Sequence, residues 1–524
     1  MSGIELGTYD AAEVEAKWRK EWDDSGVYNW NPAIARSETF VIDTPPPTVS
    51  GSLHMGHMYS YTQTDILARY LRMSGLNVFY PIGYDDNGLP TERLVEKKRD
   101  VKAAQLGREE FTKICLEVAS EARADFRDLF GRMGMSYDWN QQYSTIEPRT
   151  VKLSQMSLLD LYNKGHLYRS GQPAMWDPVD RTGIAQAEVV EKETKGVMYQ
   201  IPFSVNGEQL VIATTRPELL AACVAVMYHP THPKADKFKG QKAVTALFGV
   251  EVPLIADEAV DPEKGTGVVM CCTFGDDKDV EWWRANSLPL RSIVQQNGKL
   301  GNLEGIGEGD WKSVNPAKAK EVASKIEGQN VRAAKATMVE LLKAEGLILA
   351  EQEVMQMIPC AERSGAPLEL IPTLQWMVRL VDKKEQLIAL GRQLNWKPDY
   401  MRARFENWVN NLKIDWLISR QRYFGVPIPF WYSKRKGEEG KIIAASPDQL
   451  PVNPLVTPPK GYTMDEVEPD RDVLDTWGTS SISPQINSGA ITSEFAVDAE
   501  RAPKLFPADM RPQAHEIIRT WLFY

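Results

Sequence analysis

The sequence predicts an α/β fold in which a parallel sheet with crossover helices is interrupted by a β-rich insertion. Residues 40–83 have the pattern strand, helix, strand, and such βαβ units build parallel sheets. From about residue 198 to residue 346, short apolar strands alternate with turns, a pattern typical of a separate domain. Mixed helix and strand then return in residues 379–422 and 472–524, as expected if the insertion interrupts one sheet.

Length and composition limit the possible classes of protein. The 524 residues, 43% of them apolar, predict about three or four domains with sizeable cores. The net charge of −10 excludes an argument for nucleic-acid binding from overall charge, so such a partner would need local basic surfaces. No apolar run approaches the length that spans a bilayer, and the five scattered cysteines contain no CxxC pair. We therefore expect a cytoplasmic protein without a membrane partner.

The first predicted element is an N-terminal helical arm, residues 1–37. Ala12, Val14, Trp18 and Trp22 follow helical spacing. An arm of this kind packs one face on the body of the protein.

The most informative stretch follows the first predicted strand. Three prolines, residues 45–47, lead to His54-Met55-Gly56-His57, which opens a helix-like segment at residues 58–73. Backbone N–H groups and the helix dipole attract anions at a helix N-terminus, and imidazoles there can donate to a phosphate. His54 and His57 are therefore candidate catalytic residues of a phosphate site, and the alternative is a pair of surface histidines.

A second candidate follows the next strand, where Asp85 opens the segment Asp85-Asp86-Asn87-Gly88. Ligands of parallel sheets lie beyond the carboxyl ends of the strands. A carboxylate there can hold an ammonium group, whereas Asp86 and Asn87 are expected to shape the loop.

These residues resemble a known family. His54-Met55-Gly56-His57 is similar to the HIGH signature of class I aminoacyl-tRNA synthetases, and the resemblance runs from about residue 9 to residue 524. Three further segments match family motifs in the right order: residues 415–429, 472–477 and 511–521. The resemblance implies a Rossmann-type catalytic domain in two halves, residues 38–190 and 347–524, around an editing insertion at 191–346.

The resemblance also implies roles for single residues. Asp85 would hold the amino acid's ammonium group, and Pro46 and Trp477 would bound its side chain. Gly56, Gln513 and His515 would contact ATP or the aminoacyl adenylate. Gln513 and His515 are weaker candidates for site residues than the histidine pair, because a Gln or His at these positions can equally satisfy local backbone groups.

The motifs resemble those of the valyl branch, so the implied partners are L-valine, ATP with Mg²⁺ and the tRNA for valine. A leucyl or isoleucyl relative is the alternative. A cavity sized for valine rejects threonine only weakly, because the two are nearly isosteric. A second, hydrolytic site must then remove threonine, and the implied editing residues are Thr214, Thr215, Arg216, Asp276 and Asp279. For the acidic run at residues 276–279, the alternative is a solvated turn.

Two departures from the family concern metal and length. Ser364 stands where a second zinc-binding thiol is expected after Cys360, so we expect no structural zinc. The family's lysine-bearing KMSKS loop and anticodon-binding domain lie beyond the segment that matches residues 511–521, so we expect this chain to be part of a longer protein. By itself it could be an editing esterase or a non-catalytic module that binds nucleotides or tRNA. A monomer is expected.

Overall fold

The computed structural model describes residues 9–263, 265–492 and 494–524. The chain divides into two compact units. The first consists of the residues up to Tyr168 together with Trp376–Tyr524, and the second is Arg169–Gln375.

Within the described residues the α-helices, α1 to α15 in chain order, are Ala11–Ser25, Met55–Met73, Leu89–Arg99, Ala103–Leu106, Arg108–Arg132, Pro148–Asn163, Ala235–Phe238, Asp277–Ala285, Pro316–Ile326, Val331–Ala344, Lys384–Gly391, Met401–Asn410, Thr476–Ser480, Ser483–Ser488 and Ala502–Leu505. The strands, β1 to β22, are Thr39–Val41, Asn77–Phe79, Gly83–Tyr84, Tyr143–Ser144, Leu167–Ser170, Pro173–Asp177, Thr182–Gly183, Val189–Val205, Glu208–Thr214, Cys223–Tyr228, Lys242–Val244, Glu251–Ala256, Val268–Cys272, Ala350–Ala361, Glu369–Pro372, Gln375–Val378, Trp416–Leu417, Ser419–Arg420, Phe430–Ser433, Ile442–Ala444, Val467–Pro469 and Val473–Leu474.

The predicted βαβ unit is present in the first unit. β1 and β2 pair in parallel, with Thr39 opposite Asn77, and α2 forms the crossover between them. β3 and β4 form a second parallel pair. α2 packs through Tyr61 into a buried apolar cluster with Ile42 and Phe130. The prediction of a mixed α/β fold with parallel strands is confirmed.

The N-terminal arm is the helix α1. Asp10 caps its first turn by accepting from the N–H groups of Ala12 and Glu13, and Gly26 ends it in the left-handed region at φ 62°. Arg19 of α1 forms an ion pair with Asp128 of α5 at 2.8 Å. Residues 1–8 of the predicted arm lie outside the described residues.

The second unit contains a seven-stranded sheet in the order β13-β10-β12-β11-β8-β14, with β9 paired to β8. The second unit extends beyond the predicted bounds 191–346 at both ends. The two parts of the first unit therefore end at Tyr168, before residue 190, and resume at Trp376, after residue 347. The reason is strand pairing: β14 runs antiparallel along β8, from Ala350 opposite Gln200 to Ala361 opposite Val189, and β15 pairs with β6. Local sequence patterns do not reveal partners so far apart in the chain.

The cysteines are buried and unpaired. Cys271 and Cys272 lie in β13, where free thiols pack as small apolar groups. No α-helix in the described part of the chain is long and apolar enough to cross a membrane.

Candidate functional site

The two histidines cap the N-terminus of α2. The helix begins at Met55, three residues before the predicted start at residue 58, because His54 is its N-cap. The Gly56 N–H donates to His54 Nδ1 at 3.1 Å, and the His54 N–H donates to His57 Nδ1 at 3.3 Å. Two N–H groups that a helix end leaves without partners are thus satisfied by imidazole nitrogens.

This arrangement determines what the imidazoles can offer to a ligand. Because each Nδ1 accepts a hydrogen bond, the proton of each neutral ring lies on Nε2, which becomes a donor. The ring centroids are 4.1 Å apart. Burial, followed by the charge of His54, lowers the pKa of His57, which favours the neutral ring. The helix end therefore presents two Nε2–H donors with the positive end of a helix dipole, a combination suited to a phosphate.

Gly56 makes room for the His54 ring. A Cβ at this position would lie 3.0 Å from Cε1 and 3.1 Å from Nδ1 of His54. A larger residue would require the imidazole to shift by a few tenths of an ångström from its N-cap position.

The proline segment pairs with the loop that carries Asp85. The Val49 N–H donates to the Asp85 carbonyl at 2.9 Å, and the Asp85 N–H donates to the Pro47 carbonyl at 3.0 Å. The side chains of Pro46 and Asp85 are buried, and the Thr145 hydroxyl donates to Asp85 Oδ1 at 3.2 Å. The structure thus brings these two predicted residues together.

Residues after Asp85 connect the two sequence halves of the first unit. The Val426 N–H donates to Asn87 Oδ1 at 3.0 Å, and Asn87 Nδ2 donates to Thr479 Oγ1 at 3.2 Å. Glu92 accepts from the N–H groups of Tyr423 and Phe424, each at 2.8 Å. These contacts hold the Asp85 loop against segments more than three hundred residues later in the chain.

Trp477 is positioned by a buried carboxylate. Asp475 caps α13 by accepting from the Trp477 N–H at 3.3 Å, and it forms an ion pair with Arg420 at 2.8 Å. The Trp416 indole N–H donates to the same carboxylate at 2.9 Å. Trp477 itself is half-buried, and its neighbour Thr476 contacts the Asn87 carbonyl, so Trp477 lies beside the Asp85 loop.

A further buried carboxylate, Asp43, follows β1. It accepts from Arg511 Nε at 2.8 Å, from the Ser483 hydroxyl at 2.9 Å and from Asn487 Nδ2 at 2.6 Å. Burial raises the pKa of Asp43, and the Arg511 charge acts against that rise. Arg511 also lies over the Trp521 ring at 3.9 Å. This network attaches the segment with Gln513 and His515 to the end of β1.

Gln513 and His515 differ in their surroundings. Gln513 Oε1 is buried without a hydrogen-bond partner among the described residues, so it can accept from a ligand. His515 is exposed and lies 3.8 Å from Glu516. In the described part of the chain, neither side chain hydrogen-bonds to the histidine pair, Asp85 or Trp477.

The second unit has its own buried acid. Asp279 accepts from the Gly275 N–H at 2.8 Å and the Cys272 N–H at 3.2 Å. Burial, with the nearby Asp276 as the second cause, raises its pKa to about 7. Asp276 is exposed and caps α8 by accepting from the Asp279 N–H at 3.1 Å. The acidic run is therefore a helix start with one buried carboxylate, and not a fully solvated turn.

Arg216 lies next to the same glycine. Its Nη1 donates to the Gly275 carbonyl at 3.4 Å, while Glu218 and Glu369 each pair with its guanidinium at 2.9 Å. Burial alone would lower the pKa of Arg216, but the two carboxylates outweigh it and raise the pKa. Thr214 ends β9, and its hydroxyl accepts from the Arg216 N–H at 3.0 Å.

Thr215, the remaining predicted editing residue, is half-buried and lies between Thr214 and Arg216 in the chain. Arg216 and Asp279 thus both contact Gly275, and Thr214 contacts the backbone of Arg216.

Four functional candidates were missed from the sequence: Asp43, Arg511, Arg420 and Glu369. The sequence contains a signal for Asp43, because this acid directly follows the apolar run Phe40-Val41-Ile42. Glu369 had none, since its partner Arg216 is far away in the chain. Among residues 9–263, 265–492 and 494–524, no group of three His, Cys, Asp or Glu side chains is arranged to hold a metal ion.

Comparisons with known proteins identify the family of the chain. The family model described as tRNA synthetases class I (I, L, M and V) matches residues 17–524. The valine–tRNA ligase of Rickettsia conorii is 50% identical over 517 residues, which cover 98% of this chain and 62% of that protein. The same enzyme of Rickettsia prowazekii is 50% identical, with 98% and 61% covered. The chain therefore spans about three fifths of the length of these relatives.

A solved structure shares the fold. It is a ternary complex of the Agrobacterium radiobacter K84 agnB2 LeuRS with tRNA and LeuAMS. The TM-score is 0.50 and the sequence identity 21%, and the matched region covers 99% of this chain and 64% of the LeuRS chain. Since the family model spans nearly the whole sequence, the chain belongs to the class I tRNA synthetases (I, L, M and V).

Proposed function

We propose that the protein containing this chain attaches valine to its tRNA in two steps. The valine carboxylate attacks the α-phosphorus of ATP in line, which forms valyl adenylate and releases pyrophosphate. A terminal ribose hydroxyl of the tRNA then attacks the adenylate carbonyl, which forms the ester and releases AMP. The 50% identity to valine–tRNA ligases supports valine over leucine or isoleucine.

The observation that carries the proposal is the pair of histidine caps on α2. Each imidazole accepts a backbone N–H at Nδ1, which leaves Nε2 as the donor at a helix N-terminus. Such fixed donors stabilise the negative charge that builds up on the α-phosphate in the transition state, without a proton transfer.

The other residues of the first unit orient the substrates. Asp85 supplies a buried carboxylate for the ammonium group of valine, and Pro46 and Trp477 bound the isopropyl group. The unpartnered Oε1 of Gln513 accepts from the adenylate, with His515 nearby in sequence. Mg²⁺ enters with ATP and neutralises charge on its phosphates.

We further propose that the second unit hydrolyses threonyl ester formed in error. The buried carboxylate of Asp279 would receive the ammonium group of threonine, and Asp276, Thr214, Thr215 and Arg216 would line the site. Support comes from the shared contact of Asp279 and Arg216 with Gly275. A positioned water attacks the ester carbonyl and the tRNA hydroxyl leaves.

The test separates the two reactions in the full-length protein. Pyrophosphate exchange is measured with valine, isoleucine, leucine and threonine, beside deacylation of threonyl-tRNA. We expect His54→Ala with His57→Ala to lower valine-dependent exchange at least about a hundredfold and to leave deacylation intact. His229→Ala, in the second unit, serves as the matched control. Undiminished exchange in the double variant would refute the role of the imidazoles, and a signal with isoleucine alone would refute valine.

The same assays test the alternatives. Deacylation without exchange with any amino acid would support an editing esterase. ATP binding without either reaction would support a non-catalytic nucleotide-binding module.

A further inference from the structure

A cavity of about 350 Å³ lies in the first unit. Residues 140–143 on its wall precede and begin β4, whereas Asp85 follows the end of β3, the parallel neighbour of β4. These residues are at the amino end of β4, whereas Asn487 on the same wall donates to Asp43, which follows β1. Its wall consists mostly of polar side chains, among them Gln141, Arg149, Asn487, Asp498 and Arg501.

Two guanidinium groups are neighbours in this cavity. Gly489 ends α14 in the left-handed region at φ 62°, and a Cβ there would lie 2.8 Å from Arg501 Nε and 3.3 Å from Arg149 Nη2. The glycine thus leaves the space in which both arginines approach each other. A larger residue would require one of the two guanidinium groups to shift.

Both arginines donate only to neutral oxygens in the described part of the chain. Arg149 Nη2 donates to the Ile486 carbonyl at 3.1 Å. Arg501 Nε donates to the Ser488 carbonyl at 2.7 Å, and its Nη2 donates to Gln141 Oε1 at 3.1 Å. Neither is in an ion pair with a carboxylate there, unlike Arg420 and Arg511 in the same unit.

The charge balance of the cavity is therefore positive. Burial, followed by the Arg149 charge, lowers the pKa of Arg501, so the two cations repel each other. Asp498 is the acid on the wall, and its Oδ1 accepts from the N–H groups of Glu500 at 2.9 Å and Arg501 at 2.7 Å. It serves the turn before α15 and forms no ion pair with either guanidinium group, although its charge and that of Asp138 favour the cationic form of Arg501.

We propose that this cavity binds the phosphate group of a small molecule, with Arg149 and Arg501 as its anchors. Guanidinium groups match phosphate oxygens with paired hydrogen bonds, and an anion between two cations removes their repulsion. The volume admits the phosphate and an organic group attached to it. The proposal does not rest on the proposed synthesis and editing reactions.

The test uses inorganic phosphate as the probe and calorimetric titration of the full-length protein. Since the N-terminus of α2 also attracts phosphate, all variants carry His54→Ala and His57→Ala. Gln141→Glu places a carboxylate where Gln141 Oε1 now accepts from Arg501, so it supplies an internal anion and does not open a cavity. We expect it to weaken phosphate binding at least about tenfold and to raise the melting temperature slightly.

Gln393→Glu makes the same charge change at an exposed position of the first unit and is the matched control. It should bind phosphate like the parent. Arg149→Gln with Arg501→Gln should also lose binding. Absence of phosphate binding in the parent, or equal affinity in Gln141→Glu and Gln393→Glu, would overturn the proposal. Neither outcome bears on aminoacylation, which is measured separately.

Discussion

The buried carboxylate of Asp43 offers the sharpest test of how the first unit is held together. Asp43→Asn keeps the shape of the side chain but removes the charge that faces Arg511 at 2.8 Å. It also turns an NH₂ group toward one of the donors, Ser483 or Asn487, that now contact the carboxylate. Breaking a buried ion pair from one side costs about 3 to 5 kcal/mol. The lower value applies, because the Arg511 side chain keeps 21% of its exposure.

A loss of about 3 kcal/mol corresponds to a fall in melting temperature of about 4.5 °C for a unit of this size. Thermal unfolding monitored by circular dichroism measures it, and a double-mutant cycle with Arg511→Gln isolates the pair. The matched control is Asp448→Asn, the same change in an ion pair with Lys460 that lies on the surface. An unchanged melting temperature in Asp43→Asn, or strictly additive effects in the cycle, would refute the reasoning.

Three further predictions concern single residues of the two candidate sites. Gly56→Ala should lower valine-dependent pyrophosphate exchange about tenfold without lowering the melting temperature, because the new Cβ displaces the His54 ring while alanine favours the helix; unchanged exchange would contradict this. Gly275→Ala should abolish threonyl-tRNA deacylation and spare exchange, since its Cβ would lie 2.6 Å from Asp279 Oδ2; equal loss of both activities would indicate misfolding instead. The pKa of Asp279 is raised to about 7 in the folded protein, whereas the pKa of an aspartate in the unfolded chain is about 4. The free energy of unfolding of the second unit should therefore fall by about 2 kcal/mol from pH 5 to pH 7, and the fall should vanish in Asp279→Asn when denaturation is followed at each pH.

Much of the fold could be predicted, because its local elements have short-range causes. Thr39–Val41, α2 and Asn77–Phe79 follow from apolar runs and helical spacing, and the structure pairs the two strands in parallel as expected. The start of α2 was predicted three residues late, since an imidazole as N-cap is outside the usual set of Ser, Thr, Asp and Asn. The second unit extends beyond residues 191–346, because β14 and β15 pair with strands far away in sequence.

The candidate sites divide in the same way. Sequence motifs alone led to His54, His57, Asp85 and Asp279 as functional candidates. Only the structure related these residues to their surroundings: the direction of the ring protons, the burial of Asp279 and the two glutamates that pair with Arg216.

The sequence by itself determined which chemical groups are available and which short segments present them, because motifs, caps and periodicity act over a few residues. Tertiary structure alone decided which of these groups meet. The ion pair of Asp43 with Arg511 and the paired guanidinium groups of Arg149 and Arg501 join residues hundreds of positions apart. Such contacts depend on how the strands and helices pack, and packing is a property of the whole folded unit.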